Sequence, residues 1–215
     1  MFRHILFDLD GTLTKSELGI IESVEYALGQ FGIQEPDREK LKRFIGPPLF
    51  YSFQEYYGFD DKKAEEAIDK YREFYLTEGL YLTPLYEGIR ECLEALAQEH
   101  RLYIVTAKPE KAANMIVDNL KIRAYLTAVV GPDPSIKKSD KSWLIERALK
   151  EQNITDKSGV VMVGDREYDI KGAKDVGIAS IGVLYGYGFR EELEGAGADH
   201  IVETVDDLQK LLLSQ

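Results

Sequence analysis

The sequence predicts an α/β protein with a parallel sheet, helices on both faces of that sheet, and an all-helical insert after the first strand. Two observations predict this class. Through the second half of the chain, short apolar runs alternate with helical patterns, which is typical of a parallel sheet covered on both faces. Between about residues 16 and 81, in contrast, every pattern is helical and no strand interrupts it.

The first strand covers residues 2–7 and leads directly into Asp8-Leu9-Asp10. The insert then begins at Ser16, which is suited to an N-cap, and Gly32 ends its first helix. Two further helices are expected at residues 37–44 and 61–77. An aromatic group between them is expected to form much of the core of the insert: Phe50, Tyr51, Phe53, Tyr56 and Tyr57.

The rest of the chain alternates between the two kinds of element. Helices are expected near residues 87–98, 110–120, 140–151, 168–176 and 205–213, and strands near 102–106, 127–131, 160–164, 178–184 and 201–202. Because the first strand has no strand beside it in sequence, it must join this later sheet. We therefore predict one domain from residues 1–15 and 82–215, and a second from residues 16–81.

Charge and composition restrict the class of partner. The 215-residue chain carries a formal net charge of −11, which argues against nucleic acids and anionic membranes as partners, because both are negatively charged. A small phosphorylated substrate remains possible, since the local field of a pocket and its metal decides that binding.

Cysteine content and hydropathy restrict the location. Cys92 is the single cysteine, so no intrachain disulfide can form and a reducing compartment is expected. No apolar run approaches the ~20 residues of a membrane span, and no signal-peptide pattern precedes the first strand. We expect a soluble, cytoplasmic protein that is a monomer or a weak homodimer.

Three apolar runs end at polar residues: the first at Asp8 and Asp10, another at Thr106, and a third at Gly164-Asp165, with Asp169 soon after. Parallel strands end at one edge of a sheet, where such folds bind ligands. Like charges that meet there are costly unless a cation or protons compensate, and a divalent metal that prefers oxygen ligands is suited to that task.

The pair Asp8 and Asp10 has a chemical explanation. Asp10-Gly11 alone would be a turn signal, but a carboxylate at the end of a buried strand costs desolvation and brings no structural benefit. One carboxylate can attack phosphorus to give an aspartyl phosphate. The other can protonate the leaving alkoxide and then deprotonate the water that attacks the intermediate.

These residues resemble a known set of motifs. Asp8-Leu9-Asp10-Gly11-Thr12-Leu13 resembles the first motif of the haloacid dehalogenase-like phosphohydrolases. Thr106 is similar to their second motif, Lys141 fits the third, and residues 164–169 resemble the fourth. The resemblance covers the whole chain in order.

The resemblance implies a Rossmann-like core with a C1-type helical cap. It implies that Mg²⁺ is held by Asp8, by the main-chain carbonyl of Asp10 and by Asp165. Asp169 belongs to the same metal site, either as a further ligand or by orienting a water or Lys141. The resemblance also implies that Thr106, with its neighbour Ala107, binds the phosphoryl group, and that Lys141 neutralises the charge of phosphate and nucleophile.

The cap contains a rigid Gly46-Pro47-Pro48 turn. A similar segment lies over the active site in the phosphoglycolate phosphatase and 5′-nucleotidase-like group. Gly46 is therefore a candidate substrate-binding residue. Arg43 is another, because it could pair with an anionic leaving group, although an ordinary surface position explains it equally well.

The leading hypothesis is a Mg²⁺-dependent phosphatase, a phosphoric monoester hydrolase that acts on phosphoglycolate or, as second choice, on a nucleoside 5′-monophosphate. A dehalogenase is disfavoured because halide needs no proton from Asp10. A phosphosugar mutase stays open, and a non-catalytic binding module is disfavoured by the intact acidic set. Gly186-Tyr187-Gly188 is rejected as a dinucleotide loop because Glu191 stands where a third glycine is required.

Overall fold

A six-stranded, all-parallel sheet lies at the centre of the larger of two units in the computed structural model, which describes residues 2–45, 47–133 and 140–214. The strands are β1 (His4–Phe7), β2 (Arg101–Val105), β3 (Leu126–Val130), β4 (Val160–Gly164), β5 (Ala179–Val183) and β6 (His200–Val202). Their order across the sheet is β3-β2-β1-β4-β5-β6, with β1 between β2 and β4. The predicted α/β class is confirmed.

The register brings three strand ends to one level. Phe7 at the end of β1 pairs with Ile104 of β2 and with Val163 of β4. The residues that follow these strands therefore emerge at the same edge, which we call the carboxyl edge. The opposite edge, where β1 and β4 begin, is called the amino edge.

The smaller unit comprises Ser16–Pro84 and is all-helical in its described part. Its helices are α1 (Glu17–Gln30), α2 (Arg38–Lys42), α3 (Leu49–Tyr57) and α4 (Asp61–Thr77), followed by a short 3₁₀ helix at Gly79–Leu82. Side chains cap two of them, since Asp37 accepts hydrogen bonds from the first turn of α2 and Asp60 does so for α4. The aromatic segment forms α3, and Phe53 at its centre is completely buried.

The predicted boundary at residue 81 is displaced, because the helical unit ends at Pro84. The hydroxyl of Thr83 donates to the carbonyl of Gly79, which keeps the chain with the helical unit through the 3₁₀ helix. Leu85 then pairs with Thr14 in an isolated antiparallel bridge within the larger unit.

The larger unit comprises Met1–Lys15 and Leu85–Gln215. Its helices are α5 (Ile89–Leu96), α6 (Glu110–Asn119), α7 (Lys141–Glu151), α8 (Glu167–Val176), α9 (Arg190–Ala196) and α10 (Val205–Ser214). Of these, α9 was not predicted from the sequence. None of the described helices has the length and apolarity that crossing a membrane would require.

An apolar layer between the sheet and α7 fixes the position of that helix. Its buried members include Leu6, Tyr103 and Met162 from the strands and Leu144, Ile145 and Ala148 from α7. The N-cap of α7 is Asp140, whose carboxylate accepts a hydrogen bond from the backbone N–H of Trp143. The first residue of α7, Lys141, is thereby held at the carboxyl edge.

Candidate active site

The turn after β1 sets the geometry of the first two carboxylates. The backbone N–H of Asp8 still donates to Val163 of β4, and the chain then folds back so that the N–H of Gly11 donates to the carbonyl of Thr14. Gly11 has φ +85°, which disfavours a side chain, and a Cβ there would lie 2.2 Å from Oδ2 of Asp165. Only glycine allows this turn to approach the end of β4.

Three carboxylates meet at this edge, and we call Asp8, Asp165 and Asp169 the acidic cluster. One oxygen of each lies within 4.8 Å of the others. Asp165 and Asp169 are buried, whereas Asp8 keeps 13% of its side chain exposed. Asp8 is thus the member of the acidic cluster that solvent can reach.

Lys141 links two members of the acidic cluster. Its ammonium lies 2.9 Å from Oδ1 of Asp8 and 2.7 Å from Oδ1 of Asp169, and it also donates to the carbonyl of Val105 at 3.0 Å. Oδ2 of Asp169 accepts from the backbone N–H of Arg166. The lysine and the ends of β1 and β2 therefore form one connected network, with Asp169 bonded directly to Lys141.

The third carboxylate, Asp165, is oriented by groups that sequence reasoning missed. The hydroxyl of Thr12 donates to its Oδ1 at 3.2 Å, and the backbone N–H of Tyr187 donates to its Oδ2 at 2.8 Å. The rejected dinucleotide-loop segment thus has another function. A Cβ at Gly186 would lie 2.4 Å from the Cβ of Asp165, so the missing side chain lets this loop cover the carboxylate.

Burial and mutual repulsion perturb the ionisation of the acidic cluster. Burial, followed by the charges of Asp169 and Asp8, raises the pKa of Asp165 to about 8. Burial likewise raises the pKa of Asp169 to about 6, although the ammonium of Lys141 opposes that shift. Burial acts to lower the pKa of Lys141, but the charges of Asp169 and Asp8 outweigh it, so this pKa is raised and the lysine stays protonated.

The charge balance fits a divalent cation. Ionised together, the three carboxylates and the one ammonium would leave two uncompensated negative charges, which is costly at a site where burial and then the neighbouring charges raise the pKa of Asp165. The available donors are all oxygen, which suits a hard ion such as Mg²⁺. Asp8 and Asp165 are placed to hold such an ion, with Asp169 beside them.

Asp10 lies outside the acidic cluster and forms an ion pair with a different lysine, Lys108. Oδ2 of Asp10 lies 2.7 Å from the ammonium of Lys108, whose side chain is 7% exposed. The backbone N–H of Lys108 donates to the hydroxyl of Thr106 at 3.2 Å. Sequence reasoning missed Lys108, and the available signal was its position two residues after Thr106.

The other predicted contact residues are Ala107, Arg43 and Gly46. Ala107 is exposed in the loop after β2. Arg43 is exposed in the helical unit, where its guanidinium carbon lies 6.0 Å from the ring centroid of Tyr56. Gly46 lies outside the described residues.

Comparisons with known proteins find a family model and relatives that match most of the chain. The family described as haloacid dehalogenase-like hydrolase matches residues 5–183. A 5′-nucleotidase from Pseudomonas aeruginosa is 39% identical over 99% of this chain and 96% of its own length. A phosphoglycolate phosphatase from Vibrio parahaemolyticus is 28% identical over 97% and 95%.

A solved structure supports the same relationship. The crystal structure of a predicted phosphatase from Clostridium acetobutylicum is 42% identical to this chain, covers 100% of both chains and superposes with a TM-score of 0.91. At this identity and coverage, the likeness extends over both units.

Proposed function

Because the chain belongs to the haloacid dehalogenase-like hydrolases, we propose that it is a Mg²⁺-dependent phosphatase that hydrolyses a small phosphomonoester through an aspartyl phosphate on Asp8. The 5′-nucleotidase, the phosphoglycolate phosphatase and the predicted phosphatase reported above have names that support the reaction class of phosphoric monoester hydrolase. The observation that carries the proposal is the acidic cluster, in which Lys141 contacts Asp8 and Asp169. Asp8 also lies two residues before the ion-paired Asp10.

The metal would be held by Asp8, by the main-chain carbonyl of Asp10 and by Asp165, with Asp169 oriented toward Lys141. When bound, Mg²⁺ supplies positive charge that polarises the phosphoryl group and neutralises the charge that develops on it. This role agrees with the two negative charges that the buried side chains leave uncompensated.

The first half of the reaction uses Asp8 as nucleophile. Its carboxylate oxygen attacks phosphorus, the bond from phosphorus to the leaving oxygen breaks, and Asp10 provides the proton for that oxygen. Because the hydroxyl of Thr106 accepts a hydrogen bond from Lys108, its own proton is available to a phosphoryl oxygen. Lys141 stabilises the added negative charge at Asp8.

The second half regenerates the enzyme. Asp10 takes a proton from water, the water oxygen attacks the phosphorus of the aspartyl phosphate, and the bond to Asp8 breaks with its electron pair returning to the carboxylate. Inorganic phosphate is the product. A phosphosugar mutase would have to protect the same intermediate from water, and the names of the 5′-nucleotidase and the phosphoglycolate phosphatase favour the phosphatase.

Substrate choice is a finer part of the proposal. The greater identity with the 5′-nucleotidase, 39% against 28% for the phosphoglycolate phosphatase, supports a nucleoside 5′-monophosphate ahead of phosphoglycolate. Arg43 and Gly46 remain proposed specificity residues of the helical unit. If Arg43 pairs with a carboxylate or second phosphate of the substrate, Arg43→Ala raises KM for that substrate and leaves KM for p-nitrophenyl phosphate unchanged.

The surroundings that we propose are a reducing cytoplasm, small phosphorylated metabolites as partners rather than nucleic acids or membranes, and a monomer or weak homodimer. The single cysteine supports the first point, because no intrachain disulfide can form. Burial raises the pKa of the Cys92 thiol to about 12, which makes it an unreactive core residue.

The test is a phosphomonoester screen with phosphate release as the readout. Nucleoside 5′-monophosphates, phosphoglycolate, hexose phosphates and pyrophosphate are compared by kcat/KM with Mg²⁺, and again after chelation. We expect turnover that chelation abolishes, with a hexose 1-phosphate giving free hexose rather than an isomerised phosphate. A correctly folded protein that releases no phosphate from any substrate would favour the binding-module alternative.

A further inference from the structure

Two lysines contact three of the four carboxylates at this site. Lys141 serves the acidic cluster through Asp8 and Asp169, whereas Lys108 contacts Asp10. Both ammonium groups are almost inaccessible, with 6% and 7% of their side chains exposed. Removing a lysine from water is costly unless its charge is compensated. Asp10, the ion-pair partner of Lys108, compensates this charge, so we look for the function of Lys108 at Asp10.

The backbone around Lys108 is fixed from several directions. Its N–H donates to Thr106, and the next helix, α6, begins two residues later at Glu110. The carboxylate of Glu110 accepts from the backbone N–H of Gly131 at 3.2 Å and pairs with Arg147 at 3.0 Å. Arg147 also donates to the carbonyl of Gly131 at 2.7 Å. These contacts hold the backbone of the loop in place and so restrict the direction in which the Lys108 side chain points.

We infer that Lys108 is a positioning residue that holds Asp10 as a proton acceptor during hydrolysis of the aspartyl phosphate, an inference that rests on the proposed phosphatase function. In the observed pair the ammonium donates and the carboxylate of Asp10 accepts, which is the arrangement that water activation requires. The proton moves from water to Asp10 while the water oxygen bonds to phosphorus and Asp8 departs. Lys108 itself gains and loses no bond.

A different role for Lys108 would have a different kinetic signature. A lysine that binds the phosphoryl group directly would contribute to both half-reactions, so its loss would lower kcat/KM. A lysine that acts only through Asp10 in the hydrolytic half would lower kcat and leave kcat/KM for a good leaving group unchanged. p-Nitrophenyl phosphate separates the two, because p-nitrophenolate leaves without a proton.

The experiment measures pre-steady-state release of p-nitrophenol by the Mg²⁺-loaded full-length protein. For Lys108→Met we expect a burst of about one equivalent, then a steady rate roughly 10- to 100-fold below wild type, with KM reduced in proportion. Intact-protein mass spectrometry should show the accumulated phosphoenzyme. Lys108→Arg should restore part of the steady rate, because it keeps the charge.

The matched control is Lys111→Met, which removes an exposed lysine from the first turn of α6 and should behave as wild type. If Lys108→Met shows no burst, the positioning role of Lys108 is overturned. If kcat/KM of Lys108→Met falls as far as kcat, the result instead indicates that Lys108 binds the phosphoryl group directly. A wild type that releases no p-nitrophenol overturns the proposed function instead. Crystal structures of wild type and Lys108→Met decide the inference independently of activity, since an unmoved Asp10 side chain would refute it.

Discussion

The two edges of the parallel sheet differ in how deeply their ion pairs are buried. At the carboxyl edge, Lys141 and Asp169 form an ion pair whose side chains are 6% and 2% exposed. At the amino edge, Arg3 pairs with Asp156 while 62% and 55% of these side chains stay in solvent. Both pairs flank the same central strands, so the fold alone does not explain the difference.

The comparison separates stability from function. A buried ion pair loses hydration that its attraction seldom recovers in full, so the carboxyl edge gains little stability from its charges. An exposed pair is worth little for the opposite reason, since solvent screens it. The apolar layer beneath both edges stabilises the fold, and the buried charges are explained by chemistry. Substitutions at the two edges should therefore differ sharply in their effects.

The largest effect is expected for Asp8→Asn at the carboxyl edge. An amide is a poor nucleophile and a weaker metal ligand, so phosphate release should fall by roughly 10⁴-fold or more. Asp156→Asn at the amino edge is the control and should keep wild-type kcat, with circular dichroism confirming the fold of both variants. Turnover by Asp8→Asn near the wild-type rate would exclude the covalent route.

Lys141→Met should have the next largest effect. Loss of one preorganised charge in a phosphoryl-transfer site is expected to lower kcat by roughly 10²- to 10³-fold, by analogy with a lost oxyanion donor. Lys150→Met, at an exposed position in the last turn of the same helix, should leave kcat unchanged. Lys138 precedes Lys141 by three residues in the sequence and lies outside the described residues. A larger loss in Lys138→Met than in Lys141→Met would show that the third motif was misassigned.

A smaller effect concerns the pH dependence of stability in metal-free protein. The folded protein raises the pKa of Asp165 to about 8, so it binds a proton that the unfolded chain releases near pH 4. Protonated Asp165 therefore adds to the free energy of unfolding at low pH, and this contribution is lost as the pH rises toward 8.

Thermal denaturation in a chelator should accordingly show a Tm that falls between about pH 4 and pH 8. The increase in Tm on adding Mg²⁺ should be larger at pH 8 than at pH 5, because the ion stabilises the ionised carboxylates. Asp165→Asn should make Tm less dependent on pH. If Tm changes with pH as steeply in this variant as in wild type, groups other than Asp165 cause the pH dependence.

The smallest effect is expected for Arg3→Ala at the amino edge. Its pair with Asp156 is exposed and screened, so neither Tm nor kcat should change measurably. A clear loss of stability in Arg3→Ala, measured by thermal denaturation at moderate salt, would contradict the distinction between the two edges.

The sequence predicted the sheet well because its strands have strong local signals. Residues 160–163 are all apolar and Gly164-Asp165 ends the run, which is the pattern of a strand buried on both faces. The helix α4 was likewise placed at residues 61–77, since its apolar positions recur at helical spacing over several turns. Motif order then indicated that Asp8, Lys141 and Asp165 belong to one site, and the structure brings them together.

The sequence predicted less where a contact depends on tertiary placement. The seven residues of α9 include only Leu193 and Ala196 as buried apolar positions, too few to establish a helical period. The position of Lys108 two residues after Thr106 indicates that it lies near the site, but it does not indicate that the ammonium meets Asp10, because that contact depends on how the loops after β1 and β2 fold. The same holds for Thr12 and the backbone of Tyr187 at Asp165.

The central place of β1 has a consequence for biosynthesis. Residues 4–7 pair on one side with a strand that begins at Arg101 and on the other with one that begins at Val160. At ribosomal rates of ~5–20 residues per second, its second neighbour is made roughly 8 to 30 seconds after β1 itself. Residues 16–84, a compact unit of continuous sequence, are made in that interval. The apolar Ile5-Leu6-Phe7 therefore has no strand to pair with until the chain beyond this unit has been synthesised.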